Sequence, residues 1–314
     1  MNTEPAWAAS ANRRSSDPVP TSWHPTPADV VDYRAALVTA WAPGGVLARS
    51  VDEMWSLGVG QAATIDWERQ MLPDARLWFV GGAMCELLTG AAPGLPAVEL
   101  AAEMLPDSVG LVVFEVPIIG KDGRDSEVTV TVGAMLWGPV MFEGTTDHPW
   151  PEPRRCLGIS IYSPLGGHPQ LLPTGTCVWP FGEPPDFALT GDPHRDASLA
   201  EDRRRLLALW LLSSQPGVAT ETEAVLPRHV ARRAARAGQE PPKVRVIHLR
   251  HIEGGGQEAG DRSYHHRWLV SGHWRQQAVG PGHSQRRPTY IHPHLKGPEG
   301  APLLPPTTVK AWTR

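Results

Sequence analysis

Residues 109–118 read VGLVVFEVPI, and how this run is taken decides the fold. It is apolar, rich in β-branched residues and of strand length. GKDG (120–123) follows as a turn, and SEVTVTVGAMLWG (126–138) then alternates Val128, Val130 and Val132 with Glu127, Thr129 and Thr131. Together the two segments predict a β-hairpin with one buried face. RCLGISIYS (155–163) is a third strand candidate. Residues 164–196 carry so much Pro and Gly that they read as wandering loop.

Upstream of the hairpin the pattern is helical. TPADVVDYRAALVTAWA (26–42) sets Val30, Val31, Tyr33, Leu37 and Trp41 near a 3.6-residue period, with Thr26 as N-cap, Pro27 in the first turn and Gly44-Gly45 as the stop. A second helical stretch is expected over 64–90, broken near Pro73, and a short third over 96–104. Residues 1–26 are Pro-, Ser- and Ala-rich without period and read as a disordered arm.

Downstream, SLAEDRRRLLALWLLSSQPG (198–217) returns to helix, with Ser198 and Glu201 spaced as a capping box. Leu206 to Leu212 are apolar almost all round, so this half should be buried. LPRHVARRAARAGQEPP (226–242) predicts a short basic helix in which Arg228, Arg232 and Arg236 share one face, with Arg233 beside them. Strands follow over 243–251, 265–274, 288–292 and 307–313. The expected class is α+β: a disordered arm (1–26), an acidic α+β domain of mixed helix and antiparallel sheet (27–196), and a basic α+β domain of two helices and a small antiparallel sheet (197–314).

Net charge is −4, yet residues 1–202 sum to −15 and residues 203–314 to +11. Such asymmetry points to two surfaces with different partners, or to two halves that neutralise each other. Arginine outnumbers lysine 25 to 4, a bias typical of a high-GC genome. The three cysteines, Cys85, Cys156 and Cys177, form no CxxC pair, which disfavours a disulfide framework or a zinc–cysteine site and points to a reducing cytoplasm. No apolar run reaches the roughly 18 residues of a membrane span, and the N-terminus lacks the apolar core of a secretory signal. The glycine clusters at 58–63 and 254–260 lack the strand–GxGxxG–helix context, and no phosphate-loop or GxSxG motif occurs. Asp122, Asp125 and Glu127 lack calcium-loop spacing. No cofactor or metal is expected.

The densest segment is HHRWLVSGHWRQQAVGPG (265–282). As a strand it alternates His265, Arg267 and Leu269 with His266, Trp268 and Val270, and Gly272 marks a bulge. A small sheet of this kind buries its apolar members and presents cations and rings, the chemistry of a nucleic-acid surface. Cations neutralise phosphate, rings stack on unpaired bases for roughly 1–3 kcal/mol each, and Gln276 and Gln277 can read base edges. The candidate binding residues are Arg228, Arg232, Arg236, Arg267, His273, Trp274, Arg275, Arg286, Arg287 and Lys296. For Trp268 and Trp274 a core position stays open. His273, Arg275, Tyr290, His292, His294 and Lys296 could also serve metal-independent RNA cleavage if they converge.

The tail resembles a C-terminal pattern of uncharacterised proteins in actinobacteria and their phages and plasmids. The residues that carry it are VRVIHLR (244–250), HRWLVSGHWRQQAVGPG (266–282), RRPTYIHPHLKGPEGAPL (286–303) and VKAWTR (309–314), with RRLLALWLLSSQPGVA (204–219) ahead of them. The resemblance covers the last third of the chain. It implies a phage or plasmid setting and assigns no chemistry. Three functions stand at this point: a cytoplasmic nucleic-acid-binding or regulatory protein, a metal-independent ribonuclease or toxin-like effector, and a module that docks an acidic protein or the chain's own acidic N-terminal region. Whether the chain is an enzyme is left open.

Overall fold

The structure, a computed structural model, describes residues 23–48, 60–121, 129–144, 149–164, 171–236, 238, 240–250, 267–298 and 301–302. The expected strand 307–313, most of the arm and residues 251–266, which include the ends of expected strands 243–251 and 265–274, lie outside these.

The run 109–118 is not half of a one-faced hairpin. It lies in β2 (Gly110–Lys121), at the middle of a seven-stranded mixed sheet ordered β5-β4-β3-β2-β1-β7-β6. Its neighbours are β1 (Arg76–Val80) and β3 (Thr129–Gly144), followed outward by β4 (Pro149–Pro164) and β5 (Leu171–Pro180). On the other side of β1 come β7 (Val244–Leu249) and β6 (Ala219–Glu223). β1 runs parallel to both β2 and β7, and the other pairings are antiparallel.

Burial on both faces explains the unbroken apolar run. Leu111 and Val113 face one core with Leu77, Phe79, Val244 and Val246, under α1 (Asp29–Trp41), α2 (Gly60–Met71) and, across β7, α5 (Arg228–Arg236). Val112 and Phe114 face the opposite core with Trp78, Val80 and Ile247, under α3 (Gly82–Ala91) and α4 (Pro193–Ser213). The β2–β3 register shifts between Val113 and Ile118, and Pro117 sits in that interval, where its missing N–H breaks no ladder bond.

The α+β expectation is therefore corrected. One large mixed sheet with helices on both faces replaces an acidic region beside a separate basic domain. The C-terminal part is sheet-rich: β6 and β7 join the large sheet, and two further ribbons follow. The helices that were to build a C-terminal domain instead cover the large sheet, one on each face. The physical cause is β1. The segment RLWFV was expected inside a helix over 64–90, but there α2 ends at Met71, a 3-10 turn spans Leu72–Asp74, β1 follows, and α3 starts at Gly82. Its four buried residues, Leu77 to Val80, pack into both cores, which only a central strand allows.

Smaller differences follow the same logic. Residues 96–104 give only a 3-10 turn at Ala102–Met104. Residues 164–196 contain edge strand β5, where Pro173 and Pro180 are tolerated. Helix α4 starts five residues before the expected cap at Ser198, because Asp192 accepts hydrogen bonds from the backbone N–H groups of His194 and Arg195. Helix α1 begins at Asp29, whose carboxylate accepts from Thr26 instead of Thr26 capping the helix. Trp23, within the expected arm, is buried and donates its indole N–H to Phe114 O at 3.1 Å.

Candidate nucleic-acid interface

After β7 the described chain resumes in two antiparallel ribbons. β8 (Trp268–Val270) pairs with β11 (His294–Lys296), and β9 (His273–Val279) pairs with β10 (Gln285–Ile291). Expected strand 265–274 is thus split at Ser271-Gly272. Gly272 is a break and not a bulge, and it has a steric reason: a Cβ there would collide with the Tyr290 hydroxyl.

The β9–β10 register assigns two faces. Trp274 lies opposite Tyr290, Gln276 opposite Pro288, and Ala278 opposite Arg286. Near the body this face is buried: Tyr290 is 8% exposed and Trp274 packs on the core beneath α3 and α4. The Trp274 indole N–H donates to Ala91 O at 2.8 Å, and its ring meets Tyr290 edge-on at 5.4 Å. The backbone N–H of Tyr290 donates to Gln215 Oε1 at 2.9 Å. Trp274 is therefore an anchor, not a stacking platform. The other face carries His273, Arg275 and Gln277 opposite Ile291, Thr289 and Arg287, with Val279 opposite Gln285 at the end. The turn beyond it uses positive φ at Gly280, Gly282 and His283.

What separates this ribbon from the body is how its charge is matched. In the body, several arginines meet carboxylates: Arg69 with Asp66, Arg154 with Glu183, Arg204 with Asp186, Arg205 with Asp202 and Glu201, and Arg245 with Asp107 and Glu221, while Arg34, Arg203 and Arg250 are held by backbone carbonyls. From Arg262 to Pro298 the sequence holds no Asp or Glu. Among the described residues, no carboxylate pairs with Arg267, Arg275, Arg286, Arg287 or Lys296. Arg275, Arg286, Arg287 and Lys296 are exposed. Arg287 gives one N–H to Ser214 Oγ at 3.3 Å, and Arg267 is tied to Ala301 O at 2.8 Å.

The ten candidates do not form one patch. Arg228, Arg232 and Arg236 are exposed along one side of α5, as the spacing requires. That helix buries Val230 and Ala234, and Val230 enters the core on the opposite face of the sheet from the one that receives Trp274 and Tyr290. Arg233, also on α5, is bound to Asp32 of α1 at 2.8 Å. Lys296 lies on β11 opposite Trp268. Gln285 and Thr289 join the exposed face of β9–β10 through register alone, which spacing along one strand does not reveal.

The residues considered for RNA cleavage do not converge. His273 and Tyr290 lie on opposite faces of the ribbon. Burial raises the Tyr290 phenol and lowers the His292 imidazole, the latter partly opposed by a hydrogen bond with the Gly217 backbone. His273 and His294 each place Nδ1 on a carbonyl two residues earlier, at 3.0 and 2.9 Å. Among the described residues no group of three or more His, Cys, Asp or Glu is arranged to hold a metal ion. The three cysteines are buried and unpaired, and burial pushes the Cys85 and Cys177 thiols up to about 12. No helix among the described residues is long and apolar enough to cross a membrane.

No protein-family model matches this chain, and no curated protein matches it. Among solved structures the chain is similar to one described as "Crystal structure of AcrVA2", at 11% identity and a TM-score of 0.39, with 86% of this chain and 91% of that chain covered. A likeness this faint carries no inference about fold or activity.

Proposed function

We propose that the chain binds nucleic acid through its C-terminal ribbons. The observation that supports this reading is the contrast in charge matching. Five of the body's buried and half-buried arginines, Arg69, Arg154, Arg204, Arg205 and Arg245, have carboxylate partners and Arg34 and Arg203 are held by backbone carbonyls, while the ribbon cations have no carboxylate partner among the described residues. Unmatched like charges held on a rigid ribbon repel one another, and a polyanion removes that cost by displacing its own counterions. The acidic remainder of the chain repels the same polyanion, so approach is steered to the ribbon side. A cytoplasmic protein borne by a phage or plasmid is the setting we infer, supported by the resemblance of the tail. An acidic protein as partner is the competing reading.

The test is binding of a labelled mixed-sequence oligonucleotide, read by fluorescence anisotropy. We expect the combined variant Arg275→Ala, Arg286→Ala, Lys296→Ala to bind about tenfold or more weakly, since phosphate contacts carry most nonspecific affinity. Arg69→Ala, on an exposed ion pair with Asp66 in the body, serves as control and should bind as wild type does. Equal loss in both variants, or none in either, contradicts the assignment of the ribbon.

A further inference from the structure

The nucleic acid that this ribbon accepts is, we infer, duplex DNA entered through the major groove. The inference rests on the nucleic-acid reading above and concerns the same site. Three observations carry it.

First, the exposed face has no Trp, Tyr or Phe; its one ring is the His273 imidazole at the end next to the Ser271-Gly272 break. The β9–β10 register turns Trp274 and Tyr290 inward, where Ala91 O and Gln215 fix them. Binding of unpaired strands draws its sequence-tolerant energy from successive bases stacked on rings, and this face offers a single imidazole and no run of rings. Second, beside His273, Val279 and Ile291 the face carries exposed Arg275, Gln285 and Arg287 and half-buried Gln277 and Thr289. Guanidinium and amide groups pair in bidentate fashion with guanine and adenine edges, and the threonine methyl and hydroxyl serve thymine and mixed edges. In a duplex these groups discriminate best in the major groove, where the edges of all four base pairs differ.

Third, the dimensions agree. β9 and β10 pair only with each other, so the ribbon is two strands wide among the described residues. Two strands are about 5 Å apart, and a B-form major groove about 12 Å wide admits such a ribbon with its side chains. Alternate residues on a strand rise about 6.7 Å, close to two base steps of about 3.4 Å. Arg275 and Gln277 therefore meet bases two steps apart. The deep, narrow major groove of A-form RNA does not admit side chains in this way. The turn at Pro281–His283 leads the ribbon, and no carboxylate on β9, β10 or that turn opposes entry.

The experiment uses the full chain and four probes of one sequence and length: duplex DNA, the same duplex methylated at guanine N7, the single strand, and duplex RNA. Binding is read by anisotropy at one fixed salt concentration. We expect duplex DNA to bind about tenfold or more tightly than the single strand or the RNA, as one or two bidentate contacts require. Methylation at N7 should weaken it severalfold, and Arg275→Ala, which removes a guanidinium from the face, should abolish part of that sensitivity. Single-stranded or RNA probes that bind as tightly as duplex DNA overturn the groove inference and leave the nucleic-acid reading intact. Indifference to N7 methylation does the same. Failure to bind any of the four overturns both.

Discussion

Arg203→Ala should lower the free energy of unfolding by about 3–5 kcal/mol, the cost of leaving buried partners stranded. Arg203 is fully buried on α4, with no ion pair among the described residues. Its guanidinium donates to Val178 O of β5 and to Phe187 O and Pro185 O of the crossover that follows, at 2.5, 2.7 and 3.3 Å. The side chain thus pins residues 185–187 and the edge strand to the helix. Two effects compete on its removal. Relief from burying a cation favours the variant. One buried and two partly buried carbonyls losing their donor, at about 1–3 kcal/mol for each group shut off from water, and the cavity left behind oppose it, and their sum is larger. Arg203→Lys should fall between, since one ammonium cannot span all three carbonyls. Urea denaturation followed by circular dichroism gives the number. A loss below about 1 kcal/mol would mean that these contacts are no stronger than exposed ones.

Stability should also fall as pH rises through neutrality, because of Glu68. This carboxyl is fully buried between α2 and β4, and both the Ser160 and Tyr162 hydroxyls donate to it. Burial raises its pKa to about 7, and the two hydroxyls pull it back only in part. A carboxyl whose folded value lies above its unfolded value contributes stability that is whole below the unfolded value of 4.5 and is lost as pH rises through about 7. A difference of some two and a half units corresponds to about 3 kcal/mol. Denaturation midpoints measured between about pH 5 and pH 8 should decline for wild type. Glu68→Gln, which keeps the shape and an amide oxygen as acceptor for one of the two hydroxyls, should flatten that decline. Identical pH profiles for the two proteins would exclude Glu68 as the titrating group.

Several elements were legible in the residues themselves. The β-branched run of β2, the alternation of β3, the core of β4, the leucines of α4 and the strand over 244–249 all carry their own signal. The fold class did not follow, because it depends on five residues. RLWFV has no turn of its own on its N-terminal side except Pro73 and a 3-10 turn, and local pattern joins it to the helices on either side. Only pairing with β2 and β7 makes it a strand, and once it is placed, the hairpin becomes the centre of a two-faced sheet. β5 was hidden by its prolines, which an edge position permits.

For the site, composition identified the cations but not their partners. Arg233 and Arg236 look alike in sequence, yet Arg233 is bound to Asp32. Alternation over 265–270 does not carry past Gly272, so it leaves Trp274 and Arg275 together among the expected binding residues; which side is buried is decided by α3 and α4, far away in the chain. The sharper signal is readable without coordinates: no carboxylate occurs between Asp261 and Glu299, a span that contains both ribbons.

The salt dependence of oligonucleotide binding tests the central claim most directly, with wild type set against the variant Arg275→Ala, Arg286→Ala, Arg287→Ala, Lys296→Ala. If the exposed cations contact phosphate, affinity falls steeply with salt for wild type, and the slope of log K against log salt is shallower in the variant by about one for each phosphate contact removed, Arg286 and Lys296 foremost because Arg275 and Arg287 lie on the face that meets base edges. A wild-type affinity indifferent to salt, or a variant with the wild-type slope, would contradict the account.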